Sequence, residues 1–118
     1  MDMVIFTLYL EVAPSERLSV LETIHGIIGP TAVQKGCLSC GLYSNSQNDD
    51  ELILLEKWKS QQDLERHVRS DDFRKILAVM ETAKRKPEIN FITVGSKAGL
   101  ELVEKIRSGG TGNENCIK

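Results

Sequence analysis

Three of the four predicted strands are apolar on both faces, and this feature constrains the fold most strongly. Successive strand residues point to opposite faces, so Val4, Phe6, Leu8 and Leu10 share one face and Met3, Ile5 and Tyr9 the other. The third and fourth strands repeat the pattern, with Leu52, Leu54 and Trp58 opposite Ile53 and Leu55, and Ile89 and Phe91 opposite Ile92 and Val94. A sheet with one solvated face would alternate apolar and polar residues. Both faces of this sheet are therefore expected to be covered.

The order of predicted elements is β-α-β-β-α-β, which indicates an α+β, ferredoxin-like fold with helices on one face of an antiparallel sheet. Strands are predicted over residues 3–12, 37–46, 51–58 and 88–95. The first helix is predicted to start at Pro14 and to break or kink at Gly29-Pro30, with a last turn possible up to Gln34 and with Leu18, Leu21, Ile24 and Ile28 inward. Ser60 and Ser70 are predicted to cap two further helical pieces.

An extra C-terminal helix is predicted after the fourth strand. Ser96 would cap it, and Leu100, Val103 and Ile106 would face inward. Residues 1–108 are expected to form a single domain, with residues 109–118 as a flexible tail.

The helices suffice for one face of the sheet, so the second face needs another partner. A second copy of the chain is the simplest one, because most oligomers are symmetric homodimers. We therefore expect a homodimer in which the two sheets pack face to face, which is a dimeric α/β barrel.

Composition narrows the classes of partner. The 118 residues carry 15 Lys and Arg against 17 Asp and Glu, a net charge of −2 that disfavours nucleic-acid binding. The longest apolar run, residues 3–8, is too short to span a membrane, and Asp2 with no charged-then-apolar leader argues against a secretory signal. Three cysteines, an odd number, indicate reduced thiols. A cytoplasmic protein is expected.

Several chemistries lack their motifs in this sequence. There is no glycine-rich nucleotide loop and no G-x-S-x-G turn. The pair Cys37-x-x-Cys40 lies on a predicted strand, where residues i and i+3 point to opposite faces, so neither a metal site nor a dithiol site is expected. His25 is interpreted as a boundary residue of the first helix.

His67 is the candidate for chemistry. It lies in register with Leu64 and Val68, so its ring is predicted to face the sheet and to meet Trp58. An imidazole in an apolar cleft can act as a base or a hydrogen-bond donor. The alternative is a packing histidine without function. Trp58, Phe73 and Tyr43 likewise suit either a core or a cleft.

The ordered set of residues from Gly36 to Phe73 resembles the antibiotic biosynthesis monooxygenase family of small dimeric α/β-barrel proteins. The residues that carry the resemblance are Gly36, Cys37, Tyr43, Glu56, Trp58, Leu64, His67 and Phe73. The resemblance covers roughly residues 3–95 and leaves out the final helix and the tail.

The resemblance implies a pocket between sheet and helices that binds a small aromatic substrate. Family members include monooxygenases that oxidise hydroquinones or polycyclic phenols with O2 and without flavin, haem or metal. His67 would then be the catalytic base or hydroxyl partner, with Trp58, Tyr43 and Phe73 as pocket walls and Glu56 as part of the pattern. Two alternatives stay open: a non-catalytic protein that binds a small ligand in the same barrel, and an oxygen-independent isomerase.

Haem degradation is not expected. The haem-degrading branch of the superfamily has a tryptophan near the position of His67 and an iron-ligating histidine about one helical repeat past the helix phenylalanine. This chain has His67 and then Leu77 in that region. No cofactor is therefore expected.

Overall fold

The computed structural model describes residues 2–109. The elements are β1 (Val4–Glu11), α1 (Arg17–Ala32), β2 (Cys37–Asn45), β3 (Asn48–Trp58), α2 (Gln61–Val68), α3 (Asp71–Met80), β4 (Glu88–Thr93) and α4 (Leu100–Arg107). The four strands form one antiparallel sheet in the order β2-β3-β1-β4. This order and the helices on one face confirm the predicted ferredoxin-like α+β fold.

The core lies between the sheet and helices α1, α2 and α3, and we call this side of the sheet the helix face. Alternate residues of β1 and β3 point into it and are nearly inaccessible, namely Val4, Phe6, Leu8, Leu10, Leu52, Leu54 and Trp58. They pack against Val20, Ile24 and Ile27 of α1, Leu64 of α2, and Phe73, Ile76 and Val79 of α3. Burial of these side chains is the main source of stability.

Helix α1 begins later than predicted and buries a partly different face. The chain turns over residues 13–16, where the N–H groups of Glu16 and Arg17 donate to the carbonyls of Ala13 and Pro14, so the helix begins at Arg17. Pro30 lies in the last turn of the helix, which ends at Ala32, within the predicted extension towards Gln34. The buried residues are Val20, Ile24, Ile27 and Thr31. Of the predicted stripe, Ile24 is buried and Leu21 and Ile28 pack partly buried against the core, whereas Leu18 is 71% exposed.

The predicted N-caps of α2 and α3 are present. Ser60 Oγ accepts a hydrogen bond from the Asp63 N–H and donates to the Asp63 carboxylate. Ser70 Oγ accepts from the Phe73 N–H. Both serines satisfy first-turn donors that would otherwise lack a partner, and this separates the region into two short helices.

The second side of the sheet, which we call the outer face, carries apolar side chains as predicted. Pairing places Ile5 beside Ile92 and Tyr9 beside Ile53, and Tyr43 lies on the other side of Ile53. Tyr9, Tyr43 and Ile92 are 38%, 55% and 49% exposed. No helix from residues 2–109 covers them, and the sheet-to-sheet homodimer stays a prediction.

Helix α4 does not pack as predicted. Gly99 precedes it, no side chain caps it, and none of its residues is buried. Leu100, Val103 and Ile106 were expected to face inward but are 68%, 49% and 39% exposed. Residues 110–118 of the predicted tail lie outside the described residues.

None of the helices in residues 2–109 is both long enough and apolar enough to cross a lipid bilayer.

Candidate functional site

A cluster of polar side chains is buried between β3 and α2. Glu56 and Trp58 are separated by one residue on β3, so both point to the helix face, and His67 lies one turn after Leu64 on α2 and faces them. Glu56 is 1% exposed, and Trp58 and His67 are 0% exposed. Such complete burial requires the polar atoms to find partners within the protein.

Two nitrogen atoms of the cluster lie close to Glu56 Oε1. Trp58 Nε1 donates a hydrogen bond to it over 3.0 Å, and His67 Nε2 lies 3.3 Å from the same oxygen. The Trp58 and His67 rings stack, with centroids 4.8 Å apart and an interplanar angle of 26°. The stacking holds the imidazole plane against the indole and directs its Nε2 edge at the carboxylate.

Gln34, which follows α1, holds the other edge of the imidazole. Its Oε1 lies 3.2 Å from His67 Nδ1. The geometry between His67 Nε2 and Glu56 is too poor for a hydrogen bond, so Nε2 has no hydrogen-bond partner among the described side chains. A buried ring nitrogen without a hydrogen-bond partner is uncommon, and a proton on this one would face Glu56 Oε1.

Aromatic side chains enclose His67. The Phe73 ring meets it edge-on at 5.5 Å, Phe6 contacts Phe73 at 5.9 Å, and Phe91 contacts Phe6 at 5.3 Å. Phe91 is 49% exposed and opens onto a cleft of about 190 Å³ between α2 and β4, with Leu64 and Val68 on its other wall. We call it the α2–β4 cleft. His67 itself does not line it.

Tyr43 is not part of this cluster. It pairs with Ile53, which alternates with the inward residues Leu52 and Leu54, and so it lies on the outer face. The expectation that Tyr43 forms a wall with Trp58 and Phe73 is therefore wrong within one subunit. Trp58, Phe73, Glu56 and His67 do come together.

The two strand cysteines lie on one face, contrary to the sequence expectation. An irregularity between Cys37 and Ser39 shifts the register, so Cys37 pairs with Trp58 and Cys40 with Glu56. Cys40 Sγ lies 3.9 Å from Glu56 Oε2. Burial and the neighbouring Glu56 carboxylate raise the pKa of Cys40 to about 12 and also raise the pKa of Cys37. Both are therefore neutral thiols at physiological pH and poor nucleophiles.

Metal binding has no support in this region. Within residues 2–109, no group of three or more His, Cys, Asp or Glu side chains is arranged to hold a metal ion.

Sequence reasoning missed Gln34 and Cys40 as members of the cluster. Gln34 lies in the connection after α1, where no periodic pattern indicates the direction of a side chain. The position of Cys40 depends on an irregularity at Leu38 that no residue type in the strand signals.

A family model described as antibiotic biosynthesis monooxygenase matches residues 3–79, which include β1 to α2, all but the last residue of α3, and the whole buried cluster. This chain belongs to the antibiotic biosynthesis monooxygenase family. The resemblance inferred from the residues is thereby confirmed.

Solved structures share the fold of this family member. A conserved protein from Methanosarcina mazei Go1 is 28% identical, with a TM-score of 0.72 over 78% of this chain and 92% of that one. Rv0793 from Mycobacterium tuberculosis is 23% identical, with a TM-score of 0.74 over 82% of this chain and 99% of that one. Each of the two alignments covers nearly all of the neighbour and about four-fifths of this chain.

A curated relative is Putative heme-binding protein VNG_2021C of Halobacterium salinarum, 30% identical over 66 residues. The match covers 56% of this chain but only 13% of the length of that relative.

The buried cluster does not fit a haem ligand. His67 is enclosed, with one ring nitrogen at Gln34 and the other facing Glu56. Leu77, in the region where no iron-ligating histidine is expected from the sequence, is 47% exposed on α3.

Proposed function

We propose that this family member is a cofactor-independent monooxygenase that oxidises a hydroquinone or polyphenol with O2. The observation that carries the proposal is the buried imidazole of His67, stacked on Trp58, with its Nε2 unpartnered beside the Glu56 carboxylate. Family membership supports the same reaction class.

His67 is the proposed base. It takes the proton of a substrate hydroxyl, and the resulting imidazolium is stabilised by Glu56, whose Oε1 lies 3.3 Å from Nε2. Gln34 on Nδ1 and the stacked Trp58 fix the orientation of the ring. The Trp58 N–H donates a hydrogen bond to Glu56, so the carboxylate is already oriented when positive charge develops on the imidazole.

The phenolate supplies the electrons. An electron-rich phenolate can pass an electron to O2 directly, so the protein needs only to bind it, deprotonate it and exclude water. One oxygen atom of O2 forms a new bond to a ring carbon and the other leaves as water, so that the parent hydroquinone becomes a hydroxyquinone. The four electrons that O2 requires come from the substrate, and no further reductant is consumed.

The substrate is proposed to enter through the α2–β4 cleft. Phe91 and Leu64 offer apolar surface to an aromatic ring there. The cleft, at about 190 Å³, is smaller than the usual ligand pocket of about 300–1,000 Å³. Phe73 lies between His67 and Phe6. We therefore propose that the Phe73 side chain moves aside when substrate binds, so that the substrate reaches His67.

Oxygen uptake by metal-free and flavin-free protein tests this function. With a panel of hydroquinones and naphthols, we expect uptake above spontaneous autoxidation, and a decrease of about 10²- to 10⁴-fold in His67→Ala because the base is lost. His25→Ala is the matched control, since His25 is exposed on α1.

Equal uptake by His67→Ala and His25→Ala would remove His67 as the base. Conversion of the substrate that persists in the absence of oxygen would replace the proposal with the isomerase. Thermal melting of both variants shows whether His67→Ala is folded.

A second candidate is a binding protein without turnover. It is favoured by the complete enclosure of His67, which no described cleft reaches. Saturable binding of a naphthol that quenches Trp58 emission, with no oxygen uptake for any phenol, would support it.

The proposed assembly is a homodimer through the outer faces of the sheets. Tyr9, Tyr43 and Ile92 would be covered in it. Apolar patches of this kind on a sheet mark interaction sites.

A further inference from the structure

We propose that α4 is an exchanged arm: in the homodimer, α4 of each copy docks on the outer face of the other copy's sheet. This inference rests on the proposed sheet-to-sheet pairing and adds a contact to it. The family match ends at residue 79, so α4 lies outside the matched region.

The sequence of α4 is that of a helix with one buried side. Leu102, Ile106, Val103 and Leu100 occupy an arc of about 160° when residues are set 100° apart. The remaining arc carries Glu104, Glu101 and Lys105, and Arg107 lies between Val103 and Leu100 at the edge of the apolar arc. In one copy none of the four apolar residues is buried, with exposures of 39–68%. The apolar arc therefore lacks the partner that its pattern requires.

A groove of about 610 Å³ lies on the outer face at the end of the sheet from which α4 departs. Its lining comes from every strand or its flank: Met3 and Ile5 from β1, Leu38 from β2, Lys57 from β3, and Val94 just after β4. Three strand spacings of about 4.8 Å give a width near 14 Å. The eight residues of α4 extend about 12 Å, so one helix fits across the sheet.

One charge of α4, that of Glu104, is opposite in sign to the charges of the groove, whereas Arg107 has the same sign. Lys57 and Lys97 line the groove, and neither has an ion-pair partner in the described part of the chain. Glu104 borders the apolar arc beside Leu100, and its carboxylate is exposed. Docking of the apolar arc would bring Glu104 to the edge of a groove that carries two unpaired ammonium groups.

The chain path favours the partner's groove over the chain's own. Residues 96–98 form part of the groove wall, and α4 starts only two residues later. A return onto its own groove would need a complete reversal at Gly99. The same departure point lies at the edge of the face that meets the second copy, so α4 reaches the partner directly. By two-fold symmetry each copy then fills the other's groove.

Cross-linking in mixed-isotope dimers tests the assignment. A benzoylphenylalanine photo-cross-linker replaces Val103, and protein with natural nitrogen is mixed with protein labelled with ¹⁵N, then irradiated and digested. We expect position 103 to join peptides that contain Ile5 or Leu38, with one light and one heavy partner in about half of the products. Cross-links to these peptides within a single isotope only, or none to them at all, would overturn the proposal.

The dimer dissociation constant provides a second readout. Sedimentation velocity on the full chain is expected to show at least tenfold weaker dimers for Val103→Asp/Ile106→Asp than for Lys105→Asp. The two variants change the net charge equally, and all three positions are exposed in one copy. Equal constants in a dimeric wild type would refute the arm and leave the sheet pairing intact. A wild type that is monomeric at every concentration would refute both.

Discussion

Glu56 lies where three residues of the candidate site meet. Trp58 donates to its Oε1, His67 faces the same oxygen, and the Cys40 thiol contacts Oε2. The carboxylate therefore orients the Trp58 indole, lies beside the His67 imidazole and disfavours ionisation of the Cys40 thiol. These three effects come from one side chain that is 1% exposed.

Replacement of Glu56 by glutamine should lower the pKa of Cys40 from its value of about 12. The carboxylate is the second cause of the raised pKa, after burial, so the pKa should fall without returning to 9.0. We expect faster alkylation of Cys40 by iodoacetamide at about pH 9, because the thiolate is the nucleophile. Peptide fragmentation separates Cys40 from Cys37.

Glu51→Gln is the matched control, because Glu51 lies on the same strand but interacts with Asn45. Its Cys40 should react as in the wild type. If Glu56→Gln also reacts as the wild type does, the carboxylate does not govern the thiol.

At the scale of elements, the first turn of α2 packs closely against Gly36, the residue before β2. The Asp63 carboxylate accepts hydrogen bonds from Arg66 and Ser60. Gly36 has a φ of +84°, and a Cβ there would overlap Asp63, so only glycine allows the approach. The Gly-Cys feature of the sequence is thus a packing requirement of α2 against the loop before β2.

Asp63→Asn should destabilise the protein at neutral pH and lose its effect in acid. The hydrogen bonds from Arg66 and then Ser60 lower the pKa of Asp63 below 3.8. A lowered folded-state pKa contributes stability above the unfolded pKa, and this contribution disappears as pH falls through the folded one. Urea unfolding at about pH 7 and about pH 3 measures the difference from the wild type, which should narrow at the lower pH.

Asp71→Asn serves as the control, since Asp71 is exposed at the start of α3 and lies 3.8 Å from Arg74. It should cost less stability than Asp63→Asn at neutral pH. A difference between Asp63→Asn and the wild type that stays constant with pH would show that the carboxylate charge is not responsible.

The elements that the sequence predicted well are those with a local signal. Strand alternation placed Glu56 and Trp58, and the caps Ser60 and Ser70 set α2 in the register that turns His67 to Trp58. Features set by tertiary context were not predictable. The inward stripe of α1 depends on where the turn before it ends, and Gln34 meets His67 only because two distant segments pack together.

At the scale of the whole molecule, the two sides of the sheet differ in how far one copy covers them. Helices α1 to α3 cover the helix face, whereas the outer face leaves Tyr9, Tyr43 and Ile92 exposed in one copy. The sequence predicted this difference, because the strands are apolar on both faces and the helices suffice to cover only one. The exposed state of α4 was not predicted, because its apolar pattern alone does not tell which chain it packs against.

Ile92→Asp should weaken the homodimer by at least tenfold, because it places a charge in the proposed sheet interface. Leu77→Asp is the matched control: Leu77 is 47% exposed on α3 and Ile92 is 49% exposed on β4, on opposite sides of the molecule. Sedimentation velocity measures both dissociation constants. Equal constants would place the interface elsewhere.

The position of Trp58 makes the site self-reporting. It is the single tryptophan among 118 residues, and its ring is stacked on His67. All indole fluorescence from this protein therefore originates beside the candidate base. A protonated imidazole quenches indole emission more than a neutral one, so the protonation of His67 and any displacement of Phe73 by a ligand can be followed optically, without a label, in the unmodified chain.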